Sequence, residues 1–384
     1  MKLNIKPDDF LKATVITVLA FGLSLVLMQP FSLSIATLIS SNDRHDFNIT
    51  DFYNIIADGR AVRTLDRDIV IVDIKDATRE DVAVVLDFLP ALEPRAVGLD
   101  VMFDVPRDND SLLLSAVANM PEMVMIVDVE GDSERGAETF HMAQTSFFHD
   151  SLGVRRFGAS NLPTKYEGGV VREFSVDFPV KGGKAVSSFP VALAEAVDSS
   201  AVAELRARGL RLENINYPSR TFKCIPWYDI ASYAEDIQNH IVLLGAVGVP
   251  EDMHATPTQK QMSGIEIHAH ALSTILNRNY LDTVGTFGNL AIAFALCFIL
   301  AMIHLRLPAE FKSLALRLIQ LILLYFIIRI GYYFFIDRSI IVNFSYTLLM
   351  MTFVLFACDI WFGVNGTIKF FKKKLQSHKQ TTNQ

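Results

Sequence analysis

The chain has 384 residues, 51% of them hydrophobic, and a formal net charge of −7. Its mean hydropathy is positive, which argues against an ordinary soluble protein and leaves room for two or three domains, some of them in a membrane. Residues 31–286 carry 22 Lys and Arg against 37 Asp and Glu, an acidic balance that excludes nucleic acid as a partner.

An uncharged run at 13–28 opens the chain. It reads either as a retained membrane anchor or as a secretory signal behind Lys2, Lys6 and Lys12; Asp8 and Asp9 and the lack of a clean small-residue cleavage site favour the anchor. Both readings export the segment after it. Residues 40–60 read as a polar connector. The pattern then changes: DIVIVDI (68–74) is a β-branched strand, and ATREDVAVVLDFLPAL is a helix whose Thr78 and Asp81 form a loose capping box. PRAVGLDVMF (94–103) and MVMIVDV (123–129) are further strands, with the short helix SLLLSAVANM between them.

This alternation predicts βαβ units and a mainly parallel sheet flanked by helices. Residues 130–168, Gly-rich and polar, read as a long insertion. A hairpin turning at Lys181–Lys184 comes next, then a helix through Ala196, a strand at RLENINY and a last strand, IVLLGAV (241–247). Beyond it a loop rich in Gly, Pro and acids leads into a helix at 264–279.

Three long apolar runs, 287–303, 314–336 and 339–361, are each able to cross a bilayer. Basic residues at Arg306 and Lys312, and at Lys369, Lys372, Lys373, Lys374 and Lys379, place those ends in the cytoplasm. The expected layout is a cytoplasmic N-terminus and first span (1–30), an exported α/β domain (31–286), a three-helix transmembrane bundle (287–362) and a short basic cytoplasmic tail (363–384). The fold class is therefore an α/β exported domain plus α-helical transmembrane segments, one before it and three after. If the last two spans turn near Asp337 and Arg338, Arg317 and Asp359 lie at equal depth and form a transmembrane polar pair, while Arg329 falls level with Thr347, which has no charge to offer it. Cys224 is the only cysteine in the exported part, so that part holds together by its core.

Open parallel sheets bind ligands beyond the carboxyl ends of their strands. Acids recur at those ends: Asp73 and Asp76, Asp100 and Asp104, Asp128, and Asp252 with His254 and Thr256. Asp76 has an alternative as part of a helix cap and Asp104 as a turn former. Asp73, Asp100 and Asp252 have no such local role and are read as one rim that takes a small ligand or a divalent cation. His268 and His270, two apart on a helix, point to different faces and do not share a metal. No motif of a phosphate-binding loop, a nucleophile elbow, a zinc protease or a dinucleotide fold is present, so the chain is read as a non-enzyme without a cofactor.

Several short motifs in order resemble the type 2 CHASE sensory domains of bacterial signalling proteins: Asp68–Ile74, Arg95–Asp100, Phe103-Asp104, Gly169–Arg172, Ser188–Ala194, Leu244–Ala246, Asp252-x-His-x-Thr-Pro257 and Ser263–Ala269. The resemblance implies a ligand sensor outside the inner membrane, and it adds Arg172 to the ligand-binding candidates. Members usually continue into a cytoplasmic output domain, whereas only the basic tail comes after Trp361 here, so the expectation is a separate cytoplasmic output protein and a homo-oligomer in the lipid bilayer. The competing readings are a scaffold subunit of a membrane complex and a metal-assisted hydrolase built on Asp73, Asp100, Asp252 and His254.

Overall fold

In the computed structural model, residues 7–31, 49–60, 62–120, 122–131, 140–153, 156–164, 168–181, 183–218, 220–307 and 312–381 are described. The chain divides into two compact units, Asn42–Leu281 and Met1–Ser41 with Asp282–Gln384. Residues 40–48 of the expected connector and the side chain of Lys379 lie outside the described residues.

The first unit is built on a seven-stranded sheet of β1 (Thr64–Asp73), β2 (Ala96–Leu99), β3 (Val124–Gly131), β4 (Phe140–Gln144), β5 (Arg156–Ala159), β6 (Arg220–Pro226) and β7 (Ile241–Gly245). Its order is β6-β1-β7-β2-β3-β4, with β5 also paired to β3; every pairing is parallel except β3 with β4. The expected parallel sheet is therefore present, with one antiparallel strand.

Alternate residues of the same strands enter two cores. Ile69, Ile71, Ile241, Leu243, Val124 and Ile126 face helices α5 (Phe189–Val197), α6 (Ser199–Ala207) and α7 (Gly264–Leu276). Val70, Val72, Val242, Leu244, Val97 and Leu99 face α3 (Arg79–Phe88) and α4 (Ser111–Ala118). Burial on both faces is why these strands read as nearly continuous apolar runs. Close helix packing also needs Gly158, because a Cβ there would come within 2.6 Å of the Phe189 backbone.

Four expectations need correction. IVLLGAV is last in sequence but its strand, Ile241–Gly245, is central in the sheet, between β1 and β2, and buried along its whole length. The edge strand β6 was not expected: in RTFKCIP most residues are half-exposed, which removes the apolar signal. The stretch read as an insertion supplies β4 and β5, both too short and polar to show periodicity. Residues 49–60 form an amphipathic helix, α2 (Ile49–Arg60), rather than a connector. The Thr78–Asp81 capping box and a hairpin between Asp177–Phe178 and Val186–Ser187 are as expected.

The second unit holds α1 (Pro7–Phe31), α8 (Thr286–Arg306), α9 (Lys312–Arg338) and α10 (Ser345–Thr381). All four contain spans long and apolar enough to cross a membrane: Pro7–Val26, Thr286–Arg306, Leu316–Arg338 and Ser345–Lys374. α1, α8 and α10 pack closely, through Ala13, Ala20, Ala293, Cys297, Ala357 and Cys358; small residues let apolar helices approach. α9 touches them least. The segment read as the start of the third run is extended at Ile340–Ile341 and pairs with Asp282–Thr283. α10 therefore starts at Ser345, and it runs on through the basic segment to Thr381.

Candidate functional site

The register of the three central strands sets the site. Asp73 closes β1 opposite Gly245, and Asp100 comes directly after Leu99, the partner of Leu244, so the two acids flank the end of β7. The backbone NH of Asp100 donates to the Leu244 carbonyl at 2.8 Å and that of Ile74 to Gly245 at 3.1 Å, which extends the ladder to the rim. The loop after β7 then folds back. Met253–His254 pairs antiparallel with Met262–Ser263, which brings Asp252 to the first turn of α7.

Asp252 ties the loop to the helix that comes after it. One carboxylate oxygen accepts the Gly264 NH at 3.1 Å, and the other meets His254 Nε2 at 3.1 Å. A side chain at 264 would collide with this carboxylate, since a Cβ would lie 2.5 Å from it. Ser263 and Glu266 add a capping box to the same helix end, a Ser-x-x-Glu signal that sequence reading passed over. A carboxylate at this position answers the unpaired NH groups and the positive end of the helix dipole.

Asp100 lies close enough to Asp252 to feel its charge. Burial, and behind it the charge of Asp252, push the Asp100 carboxyl up to about 7 from an ordinary 3.8. Under the loop, burial pushes His268 down to about 4, against the pull of Asp252. His268 packs on Phe189, and its Nδ1 is buried without a hydrogen-bond partner. His270 lies elsewhere, between Tyr217 and Phe222, so the two histidines do face different surroundings.

The other expected residues separate by role. Asp73 accepts backbone NH groups from Lys75 and Val247, both at 3.0 Å, and so holds the start of the loop; Lys75 Nζ donates to the Gly248 carbonyl at 3.0 Å. Asp76 and Asp104 are exposed, and Asp104 accepts the NH of Val105. Asp128 lies within β3 rather than at its end, and receives Asn161 Nδ2 at 2.6 Å. Thr256 is fully buried and closes a turn with Gln259, so its hydroxyl serves the loop. Arg172 does not point its charge at the rim acids: it makes two bonds, 2.8 and 2.7 Å, to buried Asp51 on α2. Its neighbour Val171 donates to Ala255 at 2.8 Å, which joins that ion pair to the rim loop. Among the described residues no three His, Cys, Asp or Glu side chains converge as a metal ion would require.

The Arg317–Asp359 pair is not formed. Gln320 Nε2 donates to the Met351 carbonyl at 2.7 Å, which fixes the register of α9 and α10. Counted along antiparallel helices from that contact, Asp359 lies five residues, about 7 Å, beyond Arg317. The same offset takes Arg329 away from Thr347. The extended connector before Ser345 causes it, and Arg317 and Asp359 both end exposed. Arg306 instead pairs with Asp9 of α1 at 2.9 Å.

The rim thus couples a carboxyl of raised pKa to a carboxylate that caps a helix, an arrangement suited to registering a change in charge or hydrogen bonding. No curated protein and no solved structure matches the chain. Residues 20–303 match the model of the CHASE2 domain, an extracytoplasmic sensory domain of signalling proteins, and the chain belongs to that family.

Proposed function

We propose that this chain is a multi-pass receptor of the bacterial inner membrane, with residues 31–286 outside and the C-terminus in the cytoplasm. Its rim binds a small cationic or polyhydroxylic ligand, and its helices pass the bound state to a separately encoded cytoplasmic protein, with a homo-oligomer as the working form. The observation that carries this reading is the double duty of Asp252, which caps α7 while facing Asp100. A ligand that takes up either carboxylate changes that cap, and only nine residues of chain separate Leu276 at the end of α7 from Thr286 at the start of α8. Such a ligand shifts an equilibrium only by its differential affinity for the two states. Exposed Lys369, Lys372, Lys373 and Lys374 support the inward orientation of α10. A divalent cation has less support than an organic ligand, because no three-residue ligand set is assembled among the described residues.

The test is thermal unfolding of the full chain in lipid nanodiscs against a panel of polyamines, amino sugars and sugars. A compound that raises the midpoint of the wild type should lose its effect when Asp73, Asp100 and Asp252 are all changed to Ala. An undiminished shift removes the rim as the binding site.

A further inference from the structure

The helix that packs least in its own unit, α9, carries a charged residue on an exposed apolar and aromatic face. Along α9, Ile322, Tyr325, Phe326, Arg329, Tyr333 and Ile336 recur at helical spacing and are all exposed, so they form one stripe. Arg329 sits near the middle of the span Leu316–Arg338. Among the described residues no ion pair or hydrogen bond of its side chain occurs. The nearer end of the span, Arg338, is nine residues or about 13 Å away, and helical side chains lean toward the other, N-terminal end, about 20 Å away. Snorkelling to a headgroup is therefore a poor escape for this guanidinium, and a charge at such depth is costly without a partner.

Among the described residues this chain does not supply the counter-charge. The acids in its spans are Asp8 and Asp9 in the first turn of α1, Asp337 in the last turn of α9, and Asp359. Asp8 is engaged by Lys12 and Asp9 by Arg306. Asp337 is eight residues along the same helix, and by the Gln320–Met351 register Asp359 is displaced by 17 residues, about 25 Å. A second copy at the same depth brings no acid level with Arg329, and across a twofold axis it would bring the like charge.

We infer that the Arg329 stripe docks a different integral membrane protein, one whose transmembrane helix presents an Asp or Glu at mid-bilayer. The tyrosines beside Arg329 provide hydroxyls for the same carboxylate, and Arg with Tyr is the composition of interface anchors. The inference rests on these helices crossing the bilayer but not on the rim being a ligand site.

The probe is a designed 23-residue Leu/Ala transmembrane peptide carrying Asp, Asn or Leu at its centre, mixed with the full chain in phosphatidylcholine vesicles and monitored by energy transfer. The Asp peptide should associate about tenfold more strongly than the Leu peptide, as one interhelical polar contact allows. Arg329→Leu should reduce that preference below twofold, while Arg317→Leu and Asp252→Ala leave it intact. Equal association of the three peptides, or a preference that survives Arg329→Leu, overturns the inference. Self-association of the full chain that Arg329→Leu abolishes would assign the stripe to a second copy and overturn it as well. A loss with Asp252→Ala alone would implicate the rim instead, so failure here and failure of the sensor reading are distinguishable.

Discussion

The two units differ in how many of their charges are answered from within. In the α/β unit, buried charges are answered from within: Asp51 by Arg172, Asp66 by Arg220 and Ser273, and Glu213 by Arg208. In the helical unit Arg317, Arg329 and Asp359 face outward from a surface of Leu, Ile and Phe. An exposed charge on a water-soluble domain is ordinary, whereas an exposed charge on a membrane helix is an unmet requirement. The same side chain therefore reports structure in one unit and partnership in the other.

The strongest way to break this comparison is at Arg172. Arg172→Ala leaves Asp51, 1% exposed, without its guanidinium. The expected loss is about 3–5 kcal/mol in urea unfolding of the full chain in micelles, the cost of stranding a buried charge. Arg329→Leu should cost nothing in the same experiment. Similar losses at both positions would mean that Arg329 is also answered from within its own chain.

Much of the fold was legible because it is local or periodic. β1, β2, β3 and β7 announce themselves by short apolar runs, and the Thr78–Asp81 cap by its spacing. The central place of β7 was not legible, since strand order depends on which helix covers which face. The rim acids were found from the rule that sites lie beyond strand ends, and Asp73, Asp100 and Asp252 do gather around the end of β7. What sequence could not give is their division of labour. Asp252 caps a helix twelve residues on only because a two-residue antiparallel pair, Met253–His254 with Met262–Ser263, folds the loop back. The Asp51–Arg172 bond spans 121 residues and has no local sign. The membrane pair failed for a comparable reason: the six-residue connector 339–344, extended at Ile340–Ile341, shifts α10 against α9, and counting from a presumed turn cannot register that shift.

On the α/β side of the comparison, Asp100 pairs with no cation among the described residues. With its pKa raised to about 7 in the folded chain, the native state keeps a proton that the unfolded state releases near pH 4. Its contribution is present below pH 4 and is lost as pH rises to about 7, by at most about 4 kcal/mol. His268, pushed down to about 4, works in the opposite direction, losing stability as pH falls from 6.5. The measurable quantity is therefore the stability of wild type minus that of Asp100→Asn. It should decline between pH 4 and pH 7 and stay level above. A flat difference would mean that Asp100 is ionised at neutral pH like any surface acid.

The smallest effects on stability carry the sharpest test of the rim. Gly264→Ala adds a methyl where the Asp252 carboxylate now sits, forcing that group off the helix end without removing any charge. Loss of the cap costs about 1 kcal/mol, and the better helix propensity of Ala returns part of it. If sensing runs through the cap, the response to a rim ligand should nevertheless fall as far as in Asp252→Ala. Asp104→Ala, at an exposed position, should change stability by less than about 0.5 kcal/mol and leave the response intact. Should Asp104→Ala lower the response while Gly264→Ala does not, what matters at the rim is its summed negative charge, and the helix cap is only architecture.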